Sequence, residues 1–332
     1  MEDINKIIFK EGYGLQQYSG IRTRTGLICR TNVGFLELKK ARVGKQNISF
    51  AHDVKEHLYK KGFSHLNRFR KTLTEEPYFE KEGILYVVED VLPKESLAEK
   101  NIEEFLQGME TLGKMHFLGR GISKEFAIFE ENKLEKKYEK RKNELGKIRG
   151  RIQKEGRYDA IDCMVMKVYE VSMEQAKNAQ EFLKDGNYQD LANRVAEQSL
   201  FCHNTYKGDS LRQEKGVLYV GGFEYVNSDL PLQDVSNYLK RFLRKVGGGK
   251  EEIYQLLSVY CEENSMTKEE FICLKALAVY PEKFLKIINE HYNKRRCCRS
   301  SAMEEYLASV ILQEEESRKL LAYLEWSIGK LL

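Results

Sequence analysis

Residues 200–211 read LFCHNTYKGDSL, and residues 216–223, a few positions later, read GVLYVGGF. The second stretch is apolar, partly β-branched and bounded by glycine, which is typical of a short strand that ends in a turn. It interrupts a region in which apolar residues recur at helical spacing on both sides. A histidine-containing turn followed by a β-hairpin is therefore predicted within a mainly helical part of the chain.

The helical region begins after Pro93, and the whole sequence has only four prolines to interrupt it. Apolar residues recur there at the intervals that give a helix one apolar face. These stripes predict a large helical lobe over residues 93–332. They cover residues 102–116, 160–200, 234–246, 251–264, 269–290 and 301–328.

Residues 1–92 follow a different pattern. Short β-type runs broken by glycine occupy residues 26–30, 33–39 and 84–88. Between the last two runs, residues 48–61 have helical periodicity, and Gly62 is expected to end that helix. Strands, one helix and further strands predict a small sheet lobe, so the chain as a whole is expected to be α+β.

The charge balance of the chain narrows the classes of partner. The 55 basic and 51 acidic residues give a net charge of +4, which by itself does not indicate nucleic-acid binding. No apolar run approaches the ~20 residues that a membrane helix needs, and the first residues lack the apolar stretch of a secretory signal. The protein is therefore expected inside the cell, with neither nucleic acid nor membrane as a partner.

One segment, residues 133–157, is locally basic and has an apolar stripe at helical spacing. One interpretation is a solvated amphipathic helix, and the other is a docking face for an acidic partner. The residues of the stripe are Leu134, Tyr138, Leu145, Ile148 and Ile152.

The seven cysteines do not have the spacing of a metal site. There is no C-x-x-C pair and no histidine at zinc-finger distance, so we expect reduced thiols. Adjacent Cys297 and Cys298 leave open a cross-link to a partner under oxidation. The other five are Cys29, Cys163, Cys202, Cys261 and Cys273.

Residues 200–211 resemble the catalytic loop of the CotS-like spore coat family, which is related to aminoglycoside and choline kinases and reads C-H-x-D-(Y/F)-x-x-x-N-(I/V/L)-L. Residues 38–40 (LKK) resemble its strand with the nucleotide-binding lysine, and residues 109–116 (METLGKMH) resemble its L-A-x-x-H helix. Residues 230–235 (LPLQDV) resemble its L-P-x-x-D-L segment. Residues 280–295 resemble its F-P-E-K-F-W-K-I-x-N-x-Y-Y-N signature, the most family-specific of these motifs.

The resemblance implies a protein-kinase-like two-lobed fold, with a small antiparallel-sheet lobe carrying one helix over residues 1–92. The larger helical lobe would hold the catalytic loop at residues 200–212 and the metal-loop hairpin at residues 216–225. It also implies synthesis in the cytoplasm of the mother cell, deposition on the spore coat, and other spore coat proteins as partners.

The chain departs from this family at the three positions on which the chemistry depends. The catalytic Asp position falls on Thr205, the metal-binding Asn position on Ser210, and the metal-binding Asp position on Gly222. Losing a general base alone costs about 10²- to 10⁴-fold in rate. Phosphoryl transfer also depends on metal ions that neutralise the developing charge. We therefore expect a pseudokinase with no catalytic residue, no bound metal and no required cofactor.

Neighbouring groups leave an alternative open. Asn204, Asp209 and Glu224 lie close to the three altered positions and are candidate replacements, although a shift of one residue redirects a side chain. A phosphotransferase for small molecules with relocated ligands would then use ATP with magnesium. A further alternative is a switch that binds nucleotide without catalysis.

Other candidate residues have supporting roles. Under the resemblance, His203 would brace the catalytic loop, and Asp234 would either brace the same loop or cap the helix that it begins. Lys39 is the candidate nucleotide-binding lysine, and the alternative is a solvent-facing lysine of its strand. Asp53 and Glu56 are the candidate partners of Lys39 on the predicted helix. The glycines of residues 10–14 (KEGYG) form a weak candidate phosphate loop. Under the preferred hypothesis the protein is a structural or assembly component of the spore coat, of unknown oligomeric state.

Overall fold

The computed structural model describes residues 4–123, 125, 127, 133–293 and 301–332. Two compact units make up the chain. The first comprises Met1–Glu99, Gln107–Phe129 and Arg194–Asp234, and the second comprises Lys100–Leu106, Glu130–Asn193 and Val235–Leu332. The predicted division at residue 92 stays a prediction.

A five-stranded antiparallel sheet is the main element of the first unit, with the strand order β1-β2-β3-β5-β4. A short helix, α1 (Ile4–Ile7), and a π-helical turn (Ile8–Gly12) precede it. The strands are β1 (Gln17–Arg22), β2 (Leu27–Thr31), β3 (Gly34–Lys40), β4 (Phe79–Lys81) and β5 (Ile84–Asp90), and α2 (Lys45–Lys60) follows β3.

The register of β3 against β5 sorts their side chains between two faces. Leu38 pairs with Val88, and both belong to a buried apolar cluster that also contains Phe9. Because side chains alternate along a strand, Lys39 and its opposite residue Val87 point to the other face. The polar groups of the candidate site therefore lie on one face of this sheet and its apolar core on the other.

Three further strands form a second small sheet in the first unit: β6 (Glu95–Ser96), β7 (Leu211–Glu214) and β8 (Val217–Val220). The predicted β-hairpin is the β7–β8 pair, in which Leu211 lies opposite Val220. A 3-10 turn, Phe223–Tyr225, follows the hairpin. The preceding loop is tied to the chain after this turn by backbone hydrogen bonds between Cys202 and Asn227.

The described residues of the second unit form helices joined by short loops. The helix α3 (Ile102–Leu118) and the helix α7 (Leu232–Lys245) contribute residues to both units. The others are α4 (Lys133–Glu155), α5 (Ala160–Asp185), α6 (Tyr188–Gln198), α8 (Lys250–Glu263), α9 (Lys268–Val279), α10 (Glu282–Asn293) and α11 (Ser301–Leu331). Of these, α6 runs across the boundary at Asn193.

The predicted α+β architecture, a small antiparallel sheet part with one helix and a larger helical part, is confirmed. Two predicted helical stretches are each divided. Residues 160–200 break at Gly186–Asn187, where Asn187 has a φ of 47°, and residues 269–290 break before Pro281, which cannot donate a backbone hydrogen bond.

The basic segment forms α4 with all five predicted apolar residues buried.

Cys297, Cys298, Lys294 and Arg295 lie outside the described residues. The five described cysteines are free thiols. Among the described helices, none combines the length and apolar character needed to cross a membrane.

Candidate functional site

A cavity of about 430 Å³ opens in the first unit on the polar face of the sheet. Its wall includes the β1–β2 turn (residues 23–25), β3, the segment that follows β5, and the loop and hairpin of residues 205–225. This volume is in the range of small-molecule sites in proteins. The residues that the sequence singled out for phosphotransfer, Thr205, Ser210 and Gly222, all line it.

Four charged side chains, named here the buried charge cluster, lie at the base of this region: Glu37, Lys39, Lys55 and Glu89. The Lys39 Nζ lies 2.5 Å from Oε1 of Glu89 and 3.2 Å from Oε2 of Glu37. The Lys55 Nζ on α2 lies 2.9 Å from Oε2 of Glu89, and the exposed fractions of these two side chains are only 1% and 2%. Each lysine thus has a carboxylate partner, and Glu89 is shared by both.

The surroundings of the cluster shift its pKa values. Burial lowers the pKa of Lys55 despite the attraction of Glu89. Burial opposes ionisation of Glu89, yet Lys55 and Lys39 together hold the pKa of its carboxyl below the usual value. Burial would also lower the pKa of Lys39, but Glu89 and Glu37 outweigh it and raise that pKa. Glu89 is therefore an ionised carboxylate whose charge two lysines compensate.

The predicted partners of Lys39 are wrong. Glu56 binds Arg68 through two hydrogen bonds, of 2.8 and 2.6 Å, and Asp53 has no hydrogen bond to Lys39 among the described contacts. The partners of Lys39 are instead on strands β3 and β5. The helix α2 contributes a lysine to the cluster rather than a carboxylate.

The predicted phosphate loop is also misplaced. Residues 10–14 lie at the end of the π-helical turn and before β1, and none of them lines the cavity. The turn that does line it is Thr23–Arg24–Thr25, between β1 and β2. Its Thr25 hydroxyl donates a 2.7 Å hydrogen bond to the Glu37 carboxylate, so the turn is fastened to the buried charge cluster.

Asp234 and His203 hold the loop that precedes the hairpin. The Asp234 carboxylate accepts backbone hydrogen bonds from His203 (2.5 Å) and Asn204 (2.8 Å), and His116 lies 3.3 Å from it. Burial opposes ionisation of Asp234. His116, through its hydrogen bond and its charge, and His203 outweigh this effect and hold the pKa of Asp234 below the usual value.

His203 is fully buried, and its contacts indicate which nitrogen carries the proton. Nδ1 lies 3.3 Å from the Thr205 amide, which can only donate, while Nε2 lies 2.9 Å from the Gly221 carbonyl, which can only accept. Nε2 therefore carries the proton in the neutral ring. Burial lowers the pKa of His203 to about 4, against the opposing effect of Asp234.

Thr205 and Ser210 use their hydroxyls within the loop. The Thr205 hydroxyl donates a 2.5 Å hydrogen bond to the carbonyl of Gly222. The Ser210 hydroxyl contacts the Thr205 carbonyl closely, lies 2.9 Å from the Lys207 carbonyl and accepts from the Lys207 amide. Each hydroxyl therefore holds the backbone of the loop in place.

Gly222 joins the same network through its backbone, and its conformation is one that favours glycine. Its φ is 77°, and a Cβ built there would lie 2.9 Å from the Cβ of Ser210. Side chains rarely tolerate such a contact unless a neighbour moves. The structure therefore has no room for a metal-binding carboxylate at this position without rearrangement of Ser210.

The three candidate replacement residues lie in different surroundings. The side-chain amide of Asn204 donates hydrogen bonds to the Tyr225 carbonyl (2.8 Å) and the Asn227 side chain (2.7 Å). The backbone φ of Asn204 is 65°. Asp209 pairs with Arg24 at 3.2 Å. Glu224 lines the cavity and contributes its charge to the neighbourhood of Lys39. Of the three, Glu224 is the carboxylate left to face a ligand.

These surroundings do not fit a magnesium ion. Magnesium is bound by oxygen ligands in near-octahedral geometry, commonly by one or two carboxylates together with substrate phosphates. Among the residues that the structure describes, no group of three or more histidines, cysteines or acidic residues is arranged to hold a metal. Of the cavity's carboxylates, Glu37 is bound to Lys39 and Asp209 to Arg24, so only Glu224 is left.

Sequence reasoning missed Lys55 and Glu89, although a signal for Lys55 exists. Ala51, Val54 and Leu58 form the buried stripe of α2, and position 55 falls at the helical interval that places it within that stripe. A lysine on the apolar face of a helix predicts a buried carboxylate partner, since buried charges are normally paired. The sequence does not say which of the many acidic residues supplies it.

Comparison with known proteins identifies a family that matches this chain. The family described as "Spore coat putative kinase YutH" matches residues 6–324. No curated protein matches the chain.

Solved structures share the fold at low sequence identity. An aminoglycoside phosphotransferase from Alicyclobacillus acidocaldarius is 15% identical over 95% of this chain and 92% of its own, with a TM-score of 0.78. The amicoumacin kinase hAmiN, solved with AMP-PNP and Ca²⁺, is 14% identical over 96% and 93%, with a TM-score of 0.57. A choline kinase from Cryptosporidium parvum is 13% identical over 96% and 95%, with a TM-score of 0.53.

These neighbours confirm the predicted kinase-like fold. The predicted CotS-like spore coat resemblance is confirmed by the match that spans nearly the whole chain. The chain belongs to the spore coat kinase family represented by YutH.

Proposed function

We propose that this protein is a catalytically inactive member of the spore coat kinase family that acts as a structural or assembly component of the coat. The proposal rests on the contacts that Thr205, Ser210 and Gly222 make with one another. The hydroxyls of Thr205 and Ser210 are hydrogen-bonded within this group, and Ser210 leaves no room for a side chain at Gly222. Groups at the catalytic positions stabilise the loop, and none of the three offers a carboxylate or amide to a substrate or metal.

The expected loss in reaction rate supports the same conclusion. A kinase-type reaction obtains most of its acceleration from positioning and from electrostatic stabilisation by metal ions. Loss of a general base removes about 10²- to 10⁴-fold in rate before any loss of metal binding is counted. Glu224 alone is a poor substitute for two metal ligands and a base, because one carboxylate cannot orient a hydroxyl and hold two ions together.

Membership of the family supports the proposed role in the coat, and the site does not bear on it. As proposed, the protein is made in the mother-cell cytoplasm, is deposited on the forming coat, and has other coat proteins as partners. A fluorescent fusion should form a shell around the forespore. A fusion that stays diffuse in the mother cell throughout sporulation would contradict this part of the proposal.

Measurement of ATP consumption tests the inactive site. The purified protein with ATP, Mg²⁺ and a panel of hydroxyl and amine acceptors should consume ATP no faster than protein-free buffer. The informative variant is Glu224→Gln, with the exposed Glu110→Gln as the matched control. Turnover by the wild type that Glu224→Gln abolishes and Glu110→Gln leaves intact would establish the alternative, a phosphotransferase with a relocated ligand.

A further inference from the structure

Basic side chains dominate the wall of the cavity. Seven lysines and arginines line it against three carboxylates. Lys39 and Glu37 belong to the buried charge cluster, which is balanced within itself. Of the others, five have no ion-pair partner within the described part of the chain: Lys40, Arg42, Lys94, Lys207 and Arg212. The lining of the cavity therefore has an excess of positive charge, which Glu224 only partly offsets.

Asp209 marks the place where this charge is concentrated. Its carboxylate lies 3.2 Å from Nη2 of Arg24, and both side chains are largely exposed, at 60% and 77%. Arg24, Lys207 and Arg212 together hold the pKa of this carboxyl below its usual range. One carboxylate thus lies among three cations in the turn-facing part of the cavity.

Arg212 is fixed in this arrangement by its own hydrogen bonds. Its Nη1 donates to the Lys94 carbonyl at 3.1 Å and to the Ser96 hydroxyl at 2.5 Å. Neither partner is charged, so the guanidinium keeps its full positive charge. An exposed ion pair such as Arg24–Asp209 contributes little free energy, and a ligand anion could replace Asp209 at small cost.

The lining of the cavity also has apolar side chains. They include those of Ile28, Ala51, Val87 and Leu92. The Oδ1 atom of Asn67, also a wall residue, is buried without a hydrogen-bond partner among the described residues. A buried acceptor of this kind is costly unless a donor meets it, and a ligand with an apolar ring and an N–H or O–H group would supply one.

We propose that this cavity binds a small molecule bearing a phosphate chain, and that it does so without a divalent cation. Lysine and arginine side chains at Arg24, Lys207 and Arg212 neutralise the phosphates in the role that magnesium has in active kinases. The inference rests on the proposed function, because it takes the site as a binding site that performs no transfer.

Calorimetric titration in EDTA tests the proposal with two probes, ATP and inorganic tripolyphosphate, at low ionic strength. Each should bind once per chain, and added sodium chloride should weaken the binding because the attraction is between charges in an open cavity. Excess Mg²⁺ should leave the affinity equal or lower it, since the metal neutralises the ligand and finds no carboxylates in the site. Tighter binding of ATP than of tripolyphosphate would show that the apolar side chains of the lining also contribute.

Two variant pairs identify the surface. Lys207→Ala should weaken ATP about tenfold, the usual effect of losing one hydrogen bond to a charged group, whereas the exposed Lys154→Ala on α4 should not. Asp209→Asn should bind ATP more tightly than the wild type, because it removes the competing carboxylate. The exposed Asp185→Asn on α5 is its matched control. Thermal unfolding without ligand verifies that each variant is folded.

Each outcome decides the question. Absence of binding by both probes in EDTA, or binding that requires Mg²⁺, would overturn the proposal. So would equal affinities for Lys207→Ala and Lys154→Ala, because the phosphates would then lie elsewhere. The titrations in EDTA involve neither metal nor turnover, so their failure is distinguishable from ATP consumption, which would instead overturn the inactive site.

Discussion

The Nζ of Lys55 lies 2.9 Å from the Oε2 of Glu89, and both side chains are almost wholly buried. Lys55 belongs to helix α2 and Glu89 to strand β5, so the pair joins the helix to the sheet. The Lys55 ammonium also lies 3.6 Å from the ring centre of Phe69. Glu89 binds Lys39 as well, but Lys39 also has Glu37 as a partner, so Lys55 is the lysine whose charge depends on Glu89.

The first prediction concerns this carboxylate. Glu89→Gln should destabilise the protein strongly, by about 3–5 kcal/mol, because it leaves Lys55 buried without an opposite charge. Glu110→Gln, which removes an exposed partner of Lys114 on α3, should cost less than about 1 kcal/mol. Urea denaturation of both variants measures the difference.

Lys55→Met extends the same argument in the opposite direction. The substitution keeps much of the side-chain volume, and Glu89 retains both Lys39 and the Asn67 amide as partners. Removing one partner of a buried ion pair is costly chiefly when it leaves the other charge uncompensated, and here Lys39 still compensates Glu89. Lys55→Met should therefore destabilise much less than Glu89→Gln. A larger loss for Lys55→Met would mean that Lys55 is the central charge of the cluster.

The sequence is sufficient to predict the parts of the fold that follow periodicity. The helix α2 and the strands β3 and β5 lie within a few residues of their predicted bounds. The edge strand β1 (QYSGIR) was missed because it has one glycine and little alternation of polar and apolar residues. It forms through its pairing with β2, a contact that local sequence does not specify.

The candidate site is less predictable because its decisive contacts join distant parts of the chain. The altered positions Thr205, Ser210 and Gly222 could be read from one motif. The contacts among these three residues depend on the β7–β8 hairpin, because the hairpin brings Gly222 next to Thr205. The pairing of Lys39 with Glu89 likewise depends on strand register, which sequence reasoning did not supply.

A second prediction compares two glycines of the same hairpin region. Gly222 and Gly216 both have positive φ, of 77° and 80°, but only Gly222 has neighbouring atoms within 4 Å of a built Cβ. Alanine at either site costs roughly 1–2 kcal/mol in backbone conformation. Gly222→Ala should lose about 1–3 kcal/mol more, because its Cβ overlaps Ser210.

Urea denaturation of the two alanine variants measures this difference directly. The backbone cost is common to both variants, so the gap between them reports the steric contact alone. Equal stabilities would show that Ser210 moves aside at little cost. The loop would then be able to accept a side chain at position 222.

A third prediction follows for attempts to restore catalysis. The triple variant Thr205→Asp, Ser210→Asn, Gly222→Asp should give no ATP turnover above background. The new side chains remove the hydroxyl hydrogen bonds of Thr205 and Ser210 and enlarge the crowded contact at Gly222. ATP consumption with Mg²⁺ checks this, beside a thermal-unfolding measurement that separates an inactive folded variant from an unfolded one. Turnover in the triple variant would show that the rest of the site is intact.

The fourth prediction is a loss of stability in acid that depends on His203. Burial lowers the folded-state pKa of this histidine to about 4, while an unfolded histidine titrates near ~6.5. As the pH falls, the unfolded chain takes up the proton first. The contribution of His203 is therefore fully present above about pH 6.5 and is lost progressively towards pH 4, by on the order of 3 kcal/mol.

His203→Gln isolates this contribution, because glutamine retains an amide that can donate to the Gly221 carbonyl but does not titrate. Urea denaturation at several pH values between 7 and 4 should show a shallower fall in stability for His203→Gln than for the wild type. The exposed His65→Gln supplies the comparison for a histidine outside this loop. If the stability of His203→Gln falls as steeply with pH as that of the wild type, the acid sensitivity has another origin. The neutral, buried state of His203 inferred from its contacts with Thr205 and Gly221 would then be wrong.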